Sequence, residues 1–275
     1  MRRVFGLLML CLACSSHLAA QIDGCANSTV VNNLGSAGPL NFTVFSMGGR
    51  GSLLNINLAT VIGPVGVANP GALSESAPSA IDGDITVGSQ VNISRLHGSH
   101  GAIIIDDNVV GQAVTDANNA AAYFASLPPT PSVQAQFPAN GQVTQDLTIV
   151  GTVGLNVVNL PNFLLDNNAT LTLTGPVGTG FVINDWGSFN LHAGNIQVSD
   201  GVAQLDVVYN IVTPGATVKT MVPTTAFGIL LAPNSNINAM DSAEYRGEII
   251  GGYGKTIVLM SGSLVTNPCM VIGPS

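Results

Sequence analysis

The chain predicts a mainly β fold, a triangular parallel β-solenoid with one long α-helix packed alongside. Three observations point there. Charged residues make up 8% of the 275, against roughly 25% in an ordinary globular protein, so neutral Thr, Asn, Ser and Gln must face water. Short apolar runs alternate with polar residues and are cut repeatedly by Gly and Pro. One stretch near the middle changes to helical spacing. A β-sandwich would also give short strands and turns; closely recurring Gly turns and the lone mid-chain helix favour the solenoid.

The first residues read as a secretory signal over 1–20. Arg2 and Arg3 precede the apolar Val4 to Ala13, and Leu18-Ala19-Ala20 forms a small-residue cleavage site before Gln21. Cys14 after Leu12-Ala13 leaves a lipoprotein signal as the alternative. The remainder, 21–275, is expected to be a single domain. No later run is long and apolar enough to span a membrane, which takes about 20 residues.

With Arg2 and Arg3 removed, five basic residues stand against fifteen acidic ones, a net charge of −10. That excludes a basic patch for nucleic acid and attraction to an anionic membrane. Two cysteines then remain, Cys25 and Cys269. In an oxidising compartment the economical reading is a disulfide joining the ends of the domain, for which chain entropy allows about 4–5 kcal/mol; two free thiols are the alternative. Asn27, Asn41, Asn92 and Asn168 each fit the N-glycosylation pattern.

Strands are expected at Phe42 to Phe45, Leu53 to Leu58, Ile85 to Val87 and Ala102 to Ile105, with turns at Gly63-Pro64 and Asn69-Pro70-Gly71. From about 107 to 127, Val110, Val114, Ala117, Ala121, Phe124 and Leu127 recur at three and four. This is one amphipathic helix, capped by Asp106 or Asp107 and stopped by Pro128-Pro129. Inward pairs then follow at Leu171/Leu173, Phe181/Ile183, Phe189/Leu191, Ile196/Val198 and Leu205/Val207. Three such sides take about 25 residues, the size of a triangular coil. The residues between them, Thr172, Val182, Asn190, Gln197 and Asp206, read as outward.

Three segments carry a resemblance. Val207 to Ile211 ("VVYNI"), Gly228 to Asn234 ("GILLAPN") and Tyr245 to Gly252 ("YRGEIIGG") occur in the order seen in the C-terminal core of the choice-of-anchor A domain. Asn41 to Asn69, "NFTVFSMGGRGSLLNINLATVIGPVGVAN", is similar to that family's opening. The resemblance covers most of the mature chain and implies a secreted, non-enzymatic adhesive or surface module. Its partner would be an extracellular surface, as a glycan or protein ligand. The family is similar in architecture to secreted ice-binding β-solenoids, so ice binding is the alternative. The chain departs from the pattern after Val265, where "TNPCMVIGPS" contains no sortase signal or apolar tail. The domain is therefore expected to be released, or held by another protein or a lipid on Cys14.

The residues themselves read consistently. Pro233 ends the "GILLA" strand because it cannot donate to the ladder, and Asn234 and Asn236 suit the corner after it. A second alternative, a carbohydrate-active β-helix enzyme, needs convergent carboxylates. Asp82 and Asp84 could share a calcium ion, although capping a turn is the better reading. His97 and His100 have no third metal ligand near them. Ser99, His192 and Asp185 make a triad only on paper, without a nucleophile elbow. No cofactor is expected. Trp186, the sole tryptophan, is a sugar-stacking platform or a corner plug. Thr170, Thr172 and Thr174 share one side of a strand and, with Asn190 on a neighbouring strand, form the candidate ligand face. Ice binding further asks that threonines repeat on successive coils about 4.8 Å apart.

Overall fold

A computed structural model of the chain describes residues 28–221 and 224–269; the expected signal segment, Cys25 and Asn27 lie outside them. The chain is a parallel β-solenoid with three faces. The first face stacks Gly154–Leu160, Thr179–Asp185, Val207–Ile211, Thr225–Ala232, Glu244–Gly251, Val44–Ser46, Val65–Val67, Ile85–Val87 and Ile103–Ile105, in that spatial order. The second is a nine-stranded sheet of Gln142–Val143, Phe163–Leu165, Phe189–His192, Thr217–Met221, Asn236–Ala239, Thr256–Met260, Leu53–Asn57, Gly71–Ser76 and Val91–Leu96. The third begins as the three strands Leu147–Val150, Thr170–Gly175 and Asn195–Asp200. After one break it resumes with the first halves of Thr225–Ala232 and Glu244–Gly251, up to Gly228 and Gly247, and continues through Leu264–Thr266, Thr60–Ile62 and Ala80–Asp82.

The order of coils in space is not the order in sequence. The last coil lies against the first, with Val44 opposite Ile249, Leu53 opposite Thr256 and Thr60 opposite Leu264. The stack therefore starts near residue 142, climbs to 266, steps to 44, and ends at Ile103–Ile105. The chain then returns along the first face as a single helix, Asp107–Ser126. Its 20 residues span about 30 Å, matched to nine rungs that occupy about 38 Å.

The helix forms where its spacing says it should. Asp106 caps it by accepting the N–H groups of Asn108 and Val109 at 3.0 Å. Val110, Ala113, Ala117, Ala120 and Phe124 are buried beneath it, and its alanines allow close approach to the sheet. Asparagines fasten it there. Asn184 Nδ2 donates to Phe124 O at 2.9 Å and to Asn159 Oδ1 at 3.0 Å. Asn210 Nδ2 donates to Ala121 O at 3.1 Å and to Asn184 Oδ1 at 2.8 Å.

That helix, together with the short helix Thr29–Leu34 that lies beside it, explains two departures from the expected pattern. Val182 does point out from its strand, but it is fully buried in the helix-side cluster with Val30, Phe124 and Val208. Gln204–Asp206 is a 3-10 turn, not a strand, with Leu205 packed into that same cluster. The first face is thus buried on both sides, which is why its strands read as near-continuous apolar runs.

Inside the coils, in-register side chains stack rung upon rung. Phe163 and Phe189 lie opposite one another with ring centroids 4.9 Å apart and planes 12° from parallel, the spacing of the strands themselves. Tyr209 tilts against Phe189 at 5.2 Å and donates its hydroxyl to Phe227 O at 3.1 Å. Such pairs add about 0.5–1.5 kcal/mol beyond the area they bury. At the corner between the third and first faces, Gly228 and Gly247 lie on adjacent rungs, and a Cβ on Gly247 would collide with the Gly228 backbone.

The 142 end of the stack is closed by side chains that imitate a strand. Gln134 Oε1 accepts the Asn159 N–H at 2.7 Å while its Nε2 donates to Asn159 O at 3.1 Å. Gln136 does the same for Val150, at 2.8 and 3.0 Å. At the other end no such cap is seen among the described residues, and Ile103, Ile104 and Ile105 are exposed.

Candidate functional site

Of the three faces, one is covered by the helix and one is interrupted, so the nine-stranded sheet is the extended open surface. Its inward residues, such as Phe189/Leu191, Ile237/Ala239, Ile257/Leu259 and Leu54/Ile56, belong to the core. Its outward residues form in-register rows. The central row runs Gln142, Leu164, Asn190, Lys219, Asn238, Val258, Asn55, Ser74. Beside it runs Thr217, Asn236, Thr256, Leu53, Ala72. On the four strands from Asn236–Ala239 to Gly71–Ser76 no outward side chain is charged, since Glu75 points inward and is fully buried.

Several of these side chains are held across rungs. Asn236 Oδ1 accepts the Thr256 N–H at 3.1 Å, and Ser76 donates its hydroxyl to Asn57 Oδ1 at 2.7 Å. Asn236 was expected in a corner turn; it lies instead on the strand Asn236–Ala239, bonding to the next coil. Charge lies on the other strands, with Lys219 in the central row and Arg95 opposite Ser74 on the last strand. His192 Nδ1 meets Asp166 Oδ1 at 2.9 Å, and that hydrogen bond holds the Asp166 carboxyl below its usual range.

The expected ligand residues do not share this surface. Thr170, Thr172 and Thr174 lie on the three-stranded part of the third face, whereas Asn190 is in the nine-stranded sheet. Thr148 and Gln197 flank Thr172, and Gln197 Nε2 donates to its hydroxyl at 2.9 Å. Val150 and Ser199 flank Thr174, which is buried and bonded to Asp200. A short Thr148–Thr172 pair exists, but it is not continued by Gln197.

The remaining candidates are placed plainly. Asp82 and Asp84 flank a corner glycine, and Asp84 Oδ1 accepts the Ala102 N–H at 2.8 Å, as a turn cap does. His97 and His100 are exposed. Among the described residues no group of three or more His, Cys, Asp or Glu side chains could hold a metal ion. Ser99, His192 and Asp185 are not brought together: Ser99 bridges Ala80 near the open end, and His192 pairs with Asp166 instead. Asp185 is buried, which raises its carboxyl to about 6 against the Gly187 N–H that favours the charge. Burial likewise raises Glu248 far above its usual range and raises Glu75, against the pull of His100. Asn41, Asn92 and Asn168 are exposed. Cys269 is disulfide-bonded; its expected partner, Cys25, lies outside the described residues. No helix among the described residues is long and apolar enough to cross a membrane.

No family model and no curated protein matches the chain, so the choice-of-anchor A resemblance rests on its short motifs. Solved structures are similar to it. An ice-binding protein from an Arctic yeast is 17% identical with a TM-score of 0.56, covering 88% of this chain and 96% of that one. A domain of a Shewanella frigidimarina ice-binding protein is 16% identical at 0.54, covering 85% and 96%. An ice-binding protein from an Antarctic biological consortium is 15% identical at 0.52, covering 85% and 90%. At these identities the likeness establishes the fold, a parallel β-solenoid with one long helix alongside.

Proposed function

We propose that this protein binds ice, and that the nine-stranded sheet is the surface that does so. The observation that carries the reading is that sheet's form. It is long, uncovered and in register from Gln142–Val143 to Gly71–Ser76, and four consecutive strands, Asn236–Ala239 to Gly71–Ser76, present only neutral outward side chains. Strands repeat every 4.7–4.9 Å, so a row such as Asn238, Val258, Asn55, Ser74 offers amide, methyl and hydroxyl groups at a crystal-like interval. Neutral groups of this kind can share an ordered water layer with a lattice. A charged group holds its own hydration shell and disrupts that layer. The fold likeness to three ice-binding proteins supports the reading. In it the chain is a secreted, non-enzymatic binding module.

The test is thermal hysteresis and inhibition of ice recrystallisation by purified residues 21–275. Concentration-dependent activity of both kinds is expected. Their absence at high concentration, from folded protein, would remove the ice-binding reading. The adhesive role implied by the choice-of-anchor A resemblance would then remain, with binding to cell-wall fractions as its assay.

A further inference from the structure

The corner between the first and second faces carries a feature that ice binding does not use. Trp186 and Tyr253 both lie at that corner, the Tyr253 ring beside Gly49, and each is 49% exposed, unlike every other tyrosine or tryptophan of the described residues except Tyr123. Extending the register of Asp185, Ile211, Ala232 and Gly251 puts Trp186 level with Val212, Pro233 and Gly252. The two aromatics thus stand three rungs apart, about 14 Å. The two intervening rungs, with the helix, enclose an open cavity of about 210 Å³ lined by Ala122, Asn118, Asn210, Val212, Pro233 and Asn234. None of these is charged. Asn210 is fully buried at its edge, and its Oδ1 has no hydrogen-bond partner.

We propose that this corner is a binding site for a neutral oligosaccharide. Exposed aromatic rings stack against the apolar faces of sugar rings, as they do against any flat, weakly polar partner. Between them the exposed Asn234 amide can both donate to and accept from hydroxyl groups, and the Asn210 Oδ1 is left without a donor. Alternating apolar platforms and neutral polar groups along about 14 Å suit an extended chain of pyranose units more than a compact ligand. The inference is independent of ice binding, and its test involves no ice.

Because Trp186 is the only tryptophan in the chain, its fluorescence reports on the site directly. Neutral cello-, malto- and N-acetylchito-oligosaccharides, from disaccharide to hexasaccharide, are titrated into residues 21–275 at room temperature. The expected result is a saturable blue shift for at least one series, with affinity rising until the oligomer reaches both aromatics. Tyr253→Ala should weaken binding by about tenfold, the loss of one stacking contact. Ala122→Met, at an exposed helix position, should weaken it by narrowing the cavity while leaving both rings in place. Unchanged thermal melting separates these effects from misfolding. No saturable shift with any series would overturn the proposal. So would a shift that both variants leave unaltered, or one seen only with oligogalacturonates, titrated in parallel.

Discussion

The first and second faces of this solenoid share the same coils and the same core, yet they end in opposite surfaces. In the rung that holds Thr179–Asp185 and Phe189–His192, Val182 and Asn184 point out from one face and Asn190 from the other. Val182 and Asn184 are fully buried because the returning helix and the short helix Thr29–Leu34 lie on that face; Asn190 is half-buried and faces water. The helix spends the first face on packing. What remains free is the second, whose rows come from register and whose four uncharged strands reflect the 8% charged residues of the whole chain. A face becomes available for binding because another has been taken up by the fold.

Substitutions in that one rung should separate the faces. Val182→Asp places a charge under the helix without a partner, and should cost about 4 kcal/mol or more, seen as loss of the cooperative urea transition. Asn184→Ala removes the bonds to Phe124 O and Asn159 Oδ1 and leaves the Asn210 amide short of an acceptor. About 2–3 kcal/mol is expected, again by urea unfolding.

Asp185 gives the rung a pH dependence of known sign. Burial raises its carboxyl from 3.8 to about 6, so the folded state holds the proton more tightly than the unfolded chain. The stability this contributes is complete below pH ~4 and is lost as pH rises through about 6. A two-unit shift corresponds to about 2–3 kcal/mol. Asp185→Asn should abolish that fall: the gap in melting temperature between wild type and variant should change across pH 4–6 and be flat above it. At the closed end, Gln134→Ala exposes the Asn159 N–H and C=O groups and should cost about 1–2 kcal/mol. Asn190→Asp, on the open face of the rung, should stay within about 0.5 kcal/mol. A large loss there would mean the second face is not free.

How much of this was legible in the residues follows from what periodicity can report. The helix was, because Val110, Ala117, Ala121 and Phe124 recur at its period and Asp106 stands at its start. Inward pairs such as Leu171/Leu173 and Phe189/Leu191 were too, since alternation states which side of a strand is apolar. Alternation does not say what covers the other side, so Val182 read as solvent-facing. It does not say which of three faces a strand joins, so Thr172 and Asn190 read as one surface. Nor does it carry register between distant segments. The pairing of Asn55 with Val258, which completes the central row of the open face, joins the first coil to the last. The glutamine caps at Asn159 and Val150 escape for the same reason.

The central claim is that the nine-stranded face meets ice, and a pair of matched substitutions tests it most directly. Asn238→Tyr puts a bulky ring in the middle of that face, and Thr172→Tyr puts the same ring on the third face. Thermal hysteresis is measured for both beside the wild type, with folding checked by melting temperature. The account predicts that Asn238→Tyr loses most of the activity while Thr172→Tyr retains it. The reverse pattern would place the working surface on the threonine strands and contradict the account.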